Sequence, residues 1–293
     1  MNTTKKILLV PIDFSTQCFI ALNHAEEMSK TFQGEIYLLH VSEEQSLISS
    51  LFSREDQDKL QDEVWKKMTE LALFTESKSK VRTTPLVAKG KIYEEIVRAA
   101  ELVGATFIIM GTNGSDGIRK RFIGSNALRV VRESRIPVIT IKGQPEYKGI
   151  RTIILPLDLT KETREKVNKA IEFSRYFNAH VHVVSILLTD SEEVVTKLKL
   201  QMAQVNSFLT KAEVQHTTET IIAPDKSEGL VNEVINYAKK VEGDLIMIMT
   251  QQETNFTEMF IGSAAQEVIS SSEIPVCSII PTVKKDTSVF VPY

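Results

Sequence analysis

The amino-acid sequence predicts an α/β protein built from two tandem, doubly wound, open parallel five-stranded sheets. Three observations lead there. Short continuous apolar runs alternate with longer segments of helical periodicity, the pattern of parallel strands covered by helices on both faces. The chain has 293 residues, a natural length for two domains that each bury their own core. The two halves also repeat one another, and a repeat shapes the reading of everything else.

The repeat shows in three places. Ile7-Leu8-Leu9-Val10-Pro11-Ile12-Asp13 corresponds to Thr152-Ile153-Ile154-Leu155-Pro156-Leu157-Asp158, an apolar strand with a proline near its end, closed by aspartate. Phe122-Ile123-Gly124-Ser125-Asn126-Ala127 corresponds to Phe260-Ile261-Gly262-Ser263-Ala264-Ala265, and Ser134-Arg135-Ile136-Pro137-Val138 to Ser272-Glu273-Ile274-Pro275-Val276. The matches keep their order, at offsets of 145 residues (Asp13 to Asp158) and 138 residues (Gly124 to Gly262). The expected division is a first domain at 1–145, a second at 146–283 and a tail at 284–293, joined through the polar stretch from Gly143 to Gly149 that contains Pro145.

In the first copy, residues 6–12 form a continuous apolar run and read as a buried strand. Residues 16–32 have helical periodicity in Phe19, Ile20, Ala21, His24 and Met28, with Ser15 or Thr16 as N-cap. A strand at 35–42 follows, then a long amphipathic helix at 55–78 with Trp65 and Phe74 assigned to its apolar side. Next come a strand at 81–88, a helix at 91–103 ended by Gly104, and a strand at 105–110. A glycine-containing loop leads to a helix from about 125 to 134 and a last strand at 137–142. The second copy places strands at 151–157, 179–187, 214–222, 244–249 and 275–280. In such sheets a ligand sits beyond the carboxyl ends of the strands, where the strand order reverses.

The bulk chemistry excludes several classes. Net charge is −3 and the isoelectric point near 6.0, so no basic balance points to nucleic acid or an anionic membrane. The apolar run Ile7 to Ile12 is too short for a signal-peptide core or a membrane span, and no apolar stretch approaches the roughly 18 residues a span requires. The two cysteines, Cys18 and Cys277, fall one in each half, which is neither a disulfide framework nor a zinc spacing. Both are expected to be buried or half-buried, and the expected compartment is the cytoplasm. His180 and His182 share one strand face but lack a third ligand, while His24, His40 and His216 stand alone. No Ser–His–Asp, Cys–His or paired-carboxylate pattern suggests a dedicated enzyme.

The informative motif follows the strand Thr106-Phe107-Ile108-Ile109-Met110. It reads Gly111-x-x-Gly114, nine residues, then Gly124-Ser125-Asn126. Glycine tolerates positive φ and, lacking Cβ, lets backbone approach a ligand closely. Loop amides can form an anion-binding concavity, and the free N–H groups at the start of a helix favour negative charge. Ser125 and Asn126 add side-chain donors. Spacing alone serves two readings equally, a phosphate cradle or a plain strand–loop–helix connection. Arg119, Lys120 and Arg121 in the insert serve two as well, phosphate contact or solvated loop. The motif is neither a Walker A loop nor a Gly-x-Gly-x-x-Gly fingerprint.

On these residues, Gly-x2-Gly-x9-Gly-Ser after a buried strand and the aspartate of Val10-Pro11-Ile12-Asp13, the chain resembles the universal stress protein family in its tandem two-domain form. The resemblance spans nearly all of residues 5–283. It implies a Rossmann-like, adenine-nucleotide-binding fold, with ATP as ligand and Mg²⁺ as an open addition. Asp13 would bind ribose or lie against adenine, and the Val41 backbone would meet adenine. Gly111, Gly114, Gly124, Ser125 and Asn126 would bind phosphates and ribose, with Pro11, Ile12, Met110 and Asn113 completing the set. The expected role is regulatory, a stress response through nucleotide-dependent contacts with unidentified protein partners and at most slow ATP hydrolysis. Two other readings stay open: a structural or partner-binding protein with vestigial sites, and an enzyme using the cleft on a nucleotide. The family also pairs its last strands, which implies an intramolecular pseudo-dimer of the two copies, a homodimer of the whole chain staying open. In the second copy Met249 stands for Gly111 and Gln252 for Gly114, so nucleotide binding there is expected to be weak or absent.

Overall fold

A computed structural model of the chain describes residues 5–43, 54–112, 123–143, 147, 149–157, 163–188, 191–223, 229–250 and 262–280. Contacts divide the chain into two compact units, Met1–Gly149 with Ile269–Glu273 and Ile150–Val268 with Ile274–Tyr293.

The first unit runs β1 (Ile7–Pro11), α1 (Thr16–Phe32), β2 (Glu35–Ser42), α2 (Arg54–Ser79), β3 (Thr83–Lys89), α3 (Ile92–Val103), β4 (Phe107–Gly111), α4 (Ser125–Glu133) and β5 (Val138–Ile141). Its strand order is β3-β2-β1-β4-β5, and every neighbouring pair is parallel. The second unit repeats the plan with β6 (Thr152–Pro156), α5 (Thr163–Phe177), β7 (His180–Leu187), α6 (Glu192–Lys211), β8 (His216–Ile222), α7 (Leu230–Lys240), β9 (Leu245–Met249), α8 (Ser263–Ser271) and β10 (Val276–Ile279). Its order, β8-β7-β6-β9-β10, is the same topology, again parallel throughout. Element limits fall within two residues of those expected from the sequence.

The central strands are apolar because both their faces are covered. Leu8, Leu9 and Val10 of β1 are wholly buried, as are Ile153 and Ile154 of β6. Local signals set the helix ends. The Ser15 hydroxyl accepts from the Cys18 amide and caps α1. Gly104 closes α3 in the left-handed region at φ 67°, where its amide turns back to the last carbonyls.

The long helix α2 corrects the expected placement of its aromatics. Trp65 is 51% exposed and Phe74 66%. The buried face instead carries Met68, Ala72, Thr75 and Ser79, spaced by four, three and four residues. Small side chains let the helix lie close to the sheet, so the seam runs along them and the aromatics point outward. The apolar character of Trp65 and Phe74 pointed to the wrong face.

The repeat extends to individual main-chain bonds. The Ile12 amide donates to the Leu39 carbonyl at 2.8 Å, and Leu157 to Val184 at 2.8 Å. Thr112 donates to Ile141 at 3.1 Å and Thr250 to Ile279 at 3.0 Å. The offsets of 145 and 138 residues carry over unchanged.

The α2 geometry sets an expected contrast in denaturant unfolding. Met68→Ala should cost about 2–5 kcal/mol by leaving a core cavity, and Trp65→Ala and Phe74→Ala about 0.5 kcal/mol or less. A large loss at Trp65 would show that this face is covered.

Candidate functional site

The first unit reverses strand order between β1 and β4, so the chain leaving β1 and the chain leaving β4 part to opposite faces and open a cleft at the carboxyl end. Pro11, Ile12 and Asp13 lie at the tip of β1 and Val41 at the tip of the adjacent β2. Met110 and Gly111 end β4 on the other side of β1. Gly124, Ser125 and Asn126 open α4. The Gly124 amide donates to the Thr112 carbonyl at 2.6 Å, so the start of α4 is fastened to the tip of β4. Nine expected residues thus come to the ends of three adjacent strands. Asn113 and Gly114 lie outside the described residues, as do Arg119, Lys120 and Arg121.

The side chains divide by exposure. Ile12 and Met110 point into the core, at 3% and 7% exposure, so they offer a ligand only their main chain. Asp13 and Ser125 are exposed, and Asn126 and Val41 half-buried. One carboxylate oxygen of Asp13 accepts the Ser15 amide at 2.9 Å, which fixes the aspartate where the chain turns into α1. Helix α4 begins without a side-chain cap and without an acidic residue in its first turn. Its first amides therefore have no intrahelical carbonyl, and the positive end of its dipole faces the cleft. What assembles is a lip of main-chain amides, a hydroxyl and a carboxamide, opposite an exposed carboxylate.

The two described glycines of the motif differ in their surroundings. Gly124 sits at φ −63° and ψ 148°, ordinary extended backbone, and Gly111 is not among the glycines with positive φ. Gly111 is required by packing. A Cβ there would lie 2.9 Å from the Gln17 Cβ and 3.2 Å from the Gln17 main chain. Its bare α-carbon lets α1 press against β4, a role that holds with or without a ligand.

Sequence reasoning passed over two residues. His40 was read as isolated, yet its Nδ1 donates to the Ile12 carbonyl at 2.7 Å. Together with the bond from the Ile12 amide to Leu39, this clamps both polar groups of Ile12 and so aims Asp13. The signal was available: a polar side chain inside the apolar strand Leu38-Leu39-His40-Val41, beside a carbonyl leaving the ladder. Phe14, held at φ 61°, stands partly exposed with its ring 5.4 Å from that of His40. A bulky residue in the left-handed region is strained, and here the strain presents an aromatic face at the cleft mouth.

Cys18 borders the same turn, 5% exposed, its thiol donating to the Ser15 carbonyl at 3.1 Å. Burial first, with the neighbouring Asp13 charge adding to it, pushes the Cys18 thiol up to about 11. It stays a neutral thiol at physiological pH and is no nucleophile. In the second unit burial also holds Cys277 far above the usual thiol range. His180 and His182 stand with ring centroids 4.7 Å apart, each pushed below the usual imidazole range by burial. Among the described residues no group of three or more His, Cys, Asp and Glu is placed to hold a metal ion. No described helix is long and apolar enough to cross a membrane.

Two outcomes follow from this geometry. Gly111→Ala should destabilise the protein by about 1–3 kcal/mol through the clash with Gln17, measured in denaturant without nucleotide. Folded Cys18 keeps its proton from the ordinary thiol value of 9.0 up to about 11. Its contribution to stability is therefore complete below pH 9.0 and is lost as pH rises through about 11. Cys18→Ala should flatten that stretch of the stability–pH curve, and an unchanged slope would place the thiol in contact with water.

Comparison with known proteins bears on the whole arrangement. The chain is 30% identical over 159 residues to the Universal stress protein MJ0577 of Methanocaldococcus jannaschii, a match covering 48% of this chain and 98% of that one. It is 34% identical over 152 residues to the Universal stress protein MJ0531 of the same organism, covering 48% and 84%. Each such relative corresponds to about half of this chain. The crystal structure of a universal stress protein from Archaeoglobus fulgidus shares the fold along the full length, with a TM-score of 0.72, 17% identity and coverage of 94% and 96%. The model of the Universal stress protein family matches twice, at residues 4–142 and at residues 149–279. The chain belongs to the universal stress protein family, as two tandem copies of its domain.

Proposed function

We propose that the first copy binds ATP or a closely related adenine nucleotide in the cleft between β1 and β4, and that occupancy regulates contacts with protein partners. One observation carries this reading: the uncapped start of α4 is fastened to the tip of β4 beside the exposed Asp13 at the strand-order reversal. Free amides at a helix start suit phosphate oxygens, and a carboxylate across the cleft suits ribose hydroxyls. The residues fit the ligand class. Ser125 and Asn126 supply donors toward the anion, Asp13 an acceptor toward the sugar, and the Val41 main chain an edge for the base. Mg²⁺ would accompany the polyphosphate. It would neutralise charge there, while the chain's own groups bind and orient. No activated nucleophile stands at the cleft among the described residues, since Cys18 is held neutral, so hydrolysis is expected to be slow. The first domain, 1–145, then carries the working nucleotide site and the second, 146–283, a degenerate one.

The packing role of Gly111 decides how this is tested. A Gly111 variant would weaken binding through misfolding alone, so the test uses exposed or half-buried residues. Isothermal titration of ATP into the wild-type chain should give one site per chain. Asp13→Ala with Ser125→Ala should weaken it by about tenfold to a hundredfold at unchanged Tm, the loss expected for charge-assisted hydrogen bonds. Equal affinity in the variant, or no heat from the wild type, would remove the proposal. Co-purifying nucleotide, identified by mass spectrometry, would name the ligand.

A further inference from the structure

In the second unit β7 carries His180 and His182 on one face, and Tyr237 of α7 lies over that face. The imidazole centroids stand 4.7 Å apart, with the rings tilted at 47°. Both side chains are half-buried. His180 Nε2 lies 2.8 Å from the Thr217 hydroxyl of β8. His182 Nδ1 lies 3.4 Å from the Tyr237 hydroxyl, and the two ring centroids are 6.4 Å apart. Tyr237 is 4% exposed and donates to the Glu219 carboxylate of β8. The row from His180 through His182 and Tyr237 to Glu219 thus ties α7 to the strands beneath it. The first unit is built differently here. Thr152 pairs with His180 as Ile7 pairs with Glu35, at the offset of 145 residues. Glu35 and Tyr37 therefore stand where the second unit has its histidines, and Glu35 is ion-paired with Lys5 and Arg82.

Two imidazoles this close accept one proton more readily than two, because like charges with little water between them repel. The ionisable groups around the pair are few. His216 disfavours charge on His180, and Glu219 favours charge on His182. Tyr237 faces the pair from α7, where Glu233 and Lys240 lie one turn to either side. From β6, Thr152 and Ile154 lie alongside and carry no charge. One carboxylate, already accepting from Tyr237, offsets one positive charge and not two. Burial, ahead of these charges, pushes both imidazoles below their ordinary value of 6.5. We propose that the stacked pair is an acid-sensitive latch on α7: neutral, it holds the helix against β7, and on protonation it repels itself, parts from Tyr237 and lets α7 open locally. Above pH 6.5 the latch contributes in full. As pH falls below 6.5, the opened chain takes up protons that the closed one refuses, and the second unit loses stability. The first unit, with glutamate and tyrosine in those places, lacks this latch.

The test is hydrogen exchange of the full chain, read by mass spectrometry from about pH 7.5 to about pH 5 and corrected for the intrinsic rate. Peptides covering Leu230–Lys240 and His180–Leu187 should exchange several-fold faster as the pH falls. Peptides covering Ile92–Val103, the matching helix of the first unit, should show no such rise. His180→Gln with His182→Gln keeps polar side chains without a titrating charge and should remove the response. Should that double variant fail to fold, NMR titration of the wild-type imidazoles decides, and both should titrate below 6.5. Exchange of α7 that does not respond to pH, a response undiminished in the double variant, or either imidazole titrating at or above 6.5 would overturn the proposal.

Discussion

The hydrogen bond from the Gly124 amide to the Thr112 carbonyl is the constraint on which the first cleft depends. It fastens the start of α4 to the tip of β4 although eleven residues separate the two in sequence. Without it, the free amides of α4 would have no fixed distance from Asp13, and the nucleotide site proposed above would lose its frame. Thr112 is itself tied to Ile141 of the last strand, so the anchor belongs to the sheet and not to the loop. A site whose partners stand on strand tips holds its geometry better than one borne by loop residues alone.

The second copy shows that this anchor and the chemistry around it are separable. Gly262 donates to Thr250 as Gly124 does to Thr112. At the tip of the first strand the clamp on the leaving carbonyl persists but changes hands, the Ser185 hydroxyl donating to Leu157 at 2.8 Å where His40 donates to Ile12. Main-chain geometry has been kept while side chains have been exchanged, glycine for methionine and alanine for lysine. A repeat that preserves scaffold bonds while the residues around them change has a main-chain frame that does not depend on those side chains.

Most of the fold was legible in the sequence because its signals are local and repeated. Continuous apolar runs mark parallel strands, Ser15 and Gly104 mark helix ends, and each appears in a unit that occurs twice, so one copy checks the other. What escaped was side-chain direction. Trp65 and Phe74 are apolar and stand in an amphipathic helix, yet the seam follows Met68, Ala72, Thr75 and Ser79. Composition gives the presence of a face, and only the packed partner gives its angle. Gly111 was legible as a glycine that must stay one, but a further reason for it, the Gln17 atoms beside its α-carbon, was not. His40 escaped for a related reason, since its partner is a main-chain carbonyl 28 residues away.

These corrections bear on how a glycine signature is read. A motif of spaced glycines joins positions with different physical reasons: Gly111 yields space to a helix, while Gly124 sits in ordinary extended backbone as an uncapped helix start. The retained Gly262-Ser263 and the lost glycine at Met249 follow from that division. A helix start is a main-chain feature, so it persists where the side chains around it differ. A bare α-carbon at the strand tip is tied to one arrangement of helix against strand, so it can be replaced once the neighbouring helix is rebuilt. The sequence signature therefore separates into a helix start shared by both copies and a bare strand tip, packed against Gln17, present in the first copy alone.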